Sequence, residues 1–200
     1  DAAKGERDRY AAAILTARAA SRIAPDEALS GDAAALVGSM FAAGLDTQAT
    51  RWARIVDGMG KSGDAAWAIL AVGSPRPAVD LSVGRIDAFR KRAGAEGLQK
   101  SQLLVAALTG LGRVSARDQE ALAKAVELPL GLEDVWTRTI DAAARARQPG
   151  TVALLCAVGM QKATWRGVPA RYFYHMIAAL RAVGLENEAR MIAAEAMTRL

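Results

Sequence analysis

Apolar positions fall along this chain in blocks of about ten residues, spaced for one face of a helix rather than for alternation along a strand. Asp32 precedes an apolar stretch over 33–43 that stops at Gly44. Asp46 opens a second stretch through Trp52, Ile55 and Val56 that ends around Gly58. Asp64 precedes the block over 65–72, which is closed by Gly73 and the Ser74-Pro75-Arg76-Pro77 punctuation. Further along, Ser115 followed by Asp118 has the form of a capping box, and Glu133 and Asp134 stand where a first helical turn favours negative charge. Pro169 suits the start of a helix carrying Tyr172 to Leu180, and Gly184 suits its end. No segment combines period-two alternation with β-branched enrichment, so no strand is expected. The pattern predicts an all-α chain of about nine to eleven helices with short connections.

One phrase recurs at the helix ends. Ser-Met-Phe-Ala-Ala-Gly stands at 39–44, Ala-Ile-Leu-Ala-Val-Gly at 68–73, Leu-Leu-Cys-Ala-Val-Gly at 154–159 and Ala-Leu-Arg-Ala-Val-Gly at 179–184, with a looser copy at 107–112. Each narrows to small residues and breaks at glycine, which takes the left-handed C-terminal position without strain. Two copies extend further: Gly44-Leu45-Asp46-Thr47-Gln48-Ala49 parallels Gly184-Leu185-Glu186-Asn187-Glu188-Ala189. Both read as the corner of an antiparallel helical hairpin.

These two stretches, 39–53 and 179–196, resemble the second-helix entry of tetratricopeptide-like αα-hairpin repeats. The resemblance implies irregular antiparallel hairpins stacked as a short α-solenoid-like array that binds proteins or peptides. The chain departs from that family in two ways. The glycines at 44, 73, 110, 159 and 184 keep no fixed period, and the family's Trp-Leu-Gly-Tyr signature is absent. A single helical-hairpin domain over 1–200 is expected, part of a larger or processed chain, with a sub-unit boundary near 74–77.

Composition agrees with helix. Of 200 residues 46 are alanine, the best helix former and a poor strand former, which argues against a sandwich, barrel or Rossmann-type sheet. Arginine outnumbers lysine 20 to 6, a bias that reads as GC-rich bacterial coding. The net charge of +5 is unevenly placed. From Ala142 to Leu185 there is no Asp or Glu, while Arg145, Arg147, Lys162, Arg166, Arg171 and Arg181 all fall inside. The longest uncharged run, Gln148 to Gln161, is too short to span a membrane, leaving a soluble domain of either cytoplasm or periplasm.

Catalytic chemistry finds little support. Cys156 and His175 are the only thiol and the only imidazole, which leaves no Cys-rich or His-rich metal site, and Cys156 within Val152 to Val158 reads as a small buried hydrophobe. Gly-Lys-Ser at 60–62 lacks the leading glycine and the preceding strand of a phosphate loop. The carboxylate pairs sit at helix starts, where capping accounts for them. No cofactor is called for, and the chain is read as non-catalytic.

The acid-free window is the candidate site. On a wheel of the helix over 169–183, Phe173, Met176, Ile177 and Leu180 form a core stripe, while Arg171, Tyr174, His175 and Arg181 lie opposite. Trp165 and Arg166 precede that helix, Arg145 and Arg147 end an earlier one, and Lys162 lies between. Trp52, Trp67 and Trp136 read as core, and Trp165 as surface or groove. The leading expectation is a non-catalytic scaffold recognising a protein or peptide. The alternatives are an anion-binding module, for anionic lipid or a polyanionic polymer, working through 142–185, and a helical enzyme of unknown reaction. Nucleic acid is disfavoured, because six spread cations come with no recognised binding motif.

Overall fold

The computed structural model describes residues 2–94 and 97–200, and every element among them is helical. Among the described residues are twelve α-helices and three 3-10 stretches, and ten of the helices are ten residues or longer. The chain is all-α, built of helices packed on helices, and no helix among the described residues is long and apolar enough to cross a membrane.

It divides into two compact units, Asp1–Asp80 with Met191–Leu200, and Leu81–Arg190. The first contains α1 (Ala2–Ala20), α2 (Ala33–Ala42), α3 (Asp46–Thr50), α4 (Ala53–Val56) and α5 (Asp64–Gly73), with the last residues of α12 (Glu186–Arg199). Helix α2 packs on α1, α3 and α5. Trp52 and Trp67 are fully buried in this unit with Val37, Met40, Ile69 and Leu70. Burying an apolar side chain of this size stabilises the fold by about 1.5–3 kcal/mol. The Trp67 indole N–H donates to the Asp80 carbonyl at 3.1 Å, satisfying the ring's one polar atom.

The single helix expected from Asp46 to Gly58 is broken into α3, α4 and a 3-10 stretch over Asp57–Gly63. The Trp52 N–H bonds to the Ala49 carbonyl and the Ile55 N–H to the Trp52 carbonyl, both three residues back. That local tightening leaves the indole of Trp52 buried.

The second unit holds α6 (Val83–Ala93), α7 (Leu98–Gly110), α8 (Ala116–Ala125), α9 (Val135–Arg145), α10 (Pro149–Gly159) and α11 (Ala170–Ala182). Its most extensive pairing is α7 with α11. The two run in the same direction: Gln99 meets the Trp165–Arg166 backbone, Gly110 lies against Ile177, and Gly112 lies under the Arg181 guanidinium. Helix α11 is therefore the central element, packed on α7, α9 and α10, and Phe173, Met176 and Ile177 are fully buried. Helices α9 and α10 form an antiparallel hairpin in which Trp136, near the start of α9, faces Gly159 at the end of α10.

The two expected hairpin corners take one geometry. Gly44 and Gly184 have φ of 72° and 85°, and the following leucine N–H returns to a carbonyl five residues back, Leu45 to Met40 and Leu185 to Leu180. This is the glycine-closed helix end that the repeated phrase predicts.

Candidate functional site

Asp134 is the N-cap of α9. Its Oδ1 accepts from the Thr137 N–H at 2.9 Å, and the Thr137 hydroxyl accepts from the Asp134 N–H at 2.8 Å, closing a capping box. The other carboxylate oxygen reaches α11, where it accepts from Tyr172 Oη at 2.6 Å and Arg171 Nη2 at 2.8 Å. The Tyr172 hydrogen bond first, then the Thr137 amide and the Arg171 charge, hold the Asp134 carboxyl below the usual carboxylate range. Two turns further along α9, Asp141 Oδ1 lies 2.9 Å from His175 Nδ1.

These two carboxylates correct the expected surface. Arg171 is half-buried and ion-paired rather than free, because Asp134 approaches from 37 residues earlier. His175 is buried rather than presented to solvent, because the face of α11 opposite the core stripe is itself covered by α9. Its Nε2 is buried with no hydrogen-bond partner among the described residues. Tyr174 is half-buried, edge-on to His175 at 5.0 Å, and desolvation followed by the Asp141 charge raises its pKa. Trp165 is not a groove residue either. It is 6% exposed and packs edge-on against Phe173 at 5.5 Å, plugging the base of α11.

The remaining cations divide by place. Arg181 is exposed, its guanidinium lying over Gly112. Arg166 is exposed at a cleft of about 450 Å³ lined also by Gln99, Gly167 and Pro169. Lys100, which sequence reasoning passed over, lies close enough that Arg166 adds to desolvation in lowering its pKa. Arg145, Arg147 and Lys162 are exposed and bracket α10, the first two just before its start and the last just after its end.

Helix α10 itself is the feature that charge counting missed. Its sequence, Pro-Gly-Thr-Val-Ala-Leu-Leu-Cys-Ala-Val-Gly, carries no charge and no polar residue beyond one threonine. Only Val152 and Cys156, one turn apart, are buried. Burial pushes the Cys156 thiol up to about 12, as suits a small hydrophobe. Leu154 is 66% and Val158 48% exposed, with Ala153 and Ala157 beside them on the solvent side. At the end where Trp136 meets Gly159, Leu132 and Val135 also stand exposed. Trp136 is half-buried there and stacks on Tyr172 at 4.6 Å. The only signal in the sequence was the uncharged run from Gln148 to Gln161 with cations at both ends.

Compared with known proteins, the chain matches no family model, no curated protein and no solved structure.

Proposed function

We propose that the protein is a non-catalytic interaction module of helical hairpins, tetratricopeptide-like in style, that docks a protein partner on the outer face of α10. The observation that carries this reading is an apolar helix left open to solvent between unneutralised cations. A helix that is apolar all round belongs in an interior. Here one of its faces waits for a second surface, and an exposed apolar patch of this kind marks an interaction site.

Charge complementarity selects the partner. Arg145, Arg147 and Lys162 border the face, and no Asp or Glu occurs from Ala142 to Leu185. The fitting occupant is an amphipathic helix of another protein whose apolar stripe is edged by carboxylates. The small residues Ala153 and Ala157 allow close approach of that helix, and Leu154 and Val158 supply the ridge it packs against. An anionic membrane is the poorer fit, because interfacial helices seat themselves with Trp, Phe and several Leu, whereas the large exposed residues here are Leu154 and Val158 on α10 with Leu132 and Val135 at its end.

The test uses a synthetic helical peptide with leucines at i, i+3, i+4 and i+7 and glutamates alongside. Its controls are the same peptide with lysines for glutamates, and phosphatidylglycerol/phosphatidylcholine vesicles. The acidic peptide is expected to shift amide resonances of 149–159 saturably, the lysine peptide to bind at least tenfold more weakly, and Leu154→Glu/Val158→Glu to abolish the shifts while leaving the fold intact. Equal binding of both peptides, indifference to the double substitution, or binding to vesicles alone would overturn the proposal.

A further inference from the structure

A second cationic feature lies in the first unit, in a segment that charge counting along the chain passed over. A cleft of about 560 Å³ is lined by Thr47, Arg51, Arg54, Arg76 and the prolines on either side of Arg76. Thr50, Ala53 and Ala78 complete it, and no Asp or Glu lines it. All three arginines are exposed, and none of them makes an ion pair or side-chain hydrogen bond among the described residues. Three guanidinium groups lining one small cleft, with no carboxylate among its lining residues, give it a positive potential that favours an anion.

The backbone around them limits the cost of holding this arrangement. Arg76 sits between Pro75 and Pro77, whose rings fix φ on either side, two residues after Ser74, which is fully buried. Arg51 and Arg54 are three residues apart at the junction of α3 and α4, where Trp52 between them is buried and anchors the turn. The Thr50 hydroxyl is occupied as a donor to the Asp46 carbonyl, leaving the Thr47 hydroxyl as the neutral donor at the rim. Ala53, Pro75, Pro77 and Ala78 provide apolar wall beside the charges.

We infer that this cleft binds a phosphorylated small molecule, its phosphoryl oxygens held by Arg51, Arg54 and Arg76 and its organic part laid against the prolines. Planar guanidinium groups match phosphoryl oxygens in pairs, which distinguishes this ligand from a halide or a single carboxylate. The volume is that of a small-molecule site and is too small for a helix or a folded partner. The site shares no residue with α10, so the two proposals stand or fall separately.

Isothermal titration with phenyl phosphate, inorganic pyrophosphate and inorganic phosphate, with sodium chloride holding ionic strength constant, tests the assignment. Phenyl phosphate and pyrophosphate are expected to bind saturably with one site, tighter than inorganic phosphate. Arg54→Gln/Arg76→Gln is expected to weaken them at least tenfold with an unchanged circular dichroism spectrum. Heats no larger than those of the salt control, or undiminished binding by the variant, would overturn the assignment. So would a site that takes heparin but none of the small phosphates.

Discussion

Gly110 of α7 lies so close to Ile177 of α11 that a Cβ placed on it would stand 2.9 Å from both Cβ and Cγ2 of the isoleucine. The backbone nitrogen of Ala178 would be only 3.0 Å away, and neither neighbour is the movable tip of a long side chain. The absent side chain is what lets the two parallel helices touch along their length. Gly110→Ala is expected to destabilise the protein by about 1–3 kcal/mol, the usual cost of overpacking a filled core. Gly84→Ala is the control, since it lies in α6 with nothing within 4 Å, and there alanine should add up to about 1 kcal/mol through its better helix propensity. Urea midpoints of the two variants should move in opposite directions.

Asp134 ties the start of α9 to α11, and its depressed pKa gives the contribution a definite sign with pH. The carboxylate form is favoured in the folded state, so the stability it adds is fully present above the unfolded carboxylate pKa of about 3.9 and is lost as pH falls through the lower folded value. Asp134→Asn should therefore lower the urea midpoint at pH 7 and flatten the loss of stability below pH 4. A variant whose midpoint falls as steeply with acid as the parent's would place the acid sensitivity elsewhere.

The repeated glycine phrase was legible as a helix end, yet it stands for two different physical causes. At 44 and 184 the glycine takes a left-handed turn, which local sequence announces. At 73 and 159 the closing glycine has no positive φ, and in the looser copy Gly110 precedes a closing Gly112 with φ of 66°; a Cβ at 73, 110 or 159 would strike Phe41, Ile177 or Trp136, which only the packed neighbour reveals. The acid-free window was a true property of the chain and a misleading one of the surface. Arg171 and His175 meet Asp134 and Asp141, 37 and 34 residues earlier, because charges pair across helices rather than along them. Conversely, the α10 run reads as ordinary apolar helix, since hydropathy reports what a side chain prefers and not whether the fold supplies a cover. The arginine cleft escaped for the same reason: Arg51 and Arg76 are 25 residues apart in sequence and meet only at one cleft.

Cys156 faces inward with its thiol pKa raised to about 12 by desolvation, so almost none of it is thiolate near neutrality. The native protein is expected to resist iodoacetamide at pH 8 and to be alkylated at once in 6 M guanidinium. Fast labelling of the folded protein would mean that α10 opens from α11, against which the thiol lies 3.9 Å from the Met176 carbonyl.

Arg147 closes α9 with φ of 55°, and the Gln148 N–H returns to the Ala143 carbonyl, the same helix end that Gly44 and Gly184 make with glycine. A left-handed conformation costs a residue with a Cβ about 1–2 kcal/mol. Glycine avoids that cost but loses about 0.5–1 kcal/mol in extra chain entropy. Arg147→Gly should therefore raise stability by about 0.5–1 kcal/mol, read as a higher thermal midpoint. The same substitution removes one of the three cations that border the exposed face of α10, so the acidic peptide should bind several-fold more weakly and with a shallower dependence on salt. Strain retained at a surface residue that glycine would relieve is the pattern expected where the side chain serves binding. If Arg147→Gly gains stability and binds the peptide as tightly as the parent, the arginine is not part of that surface.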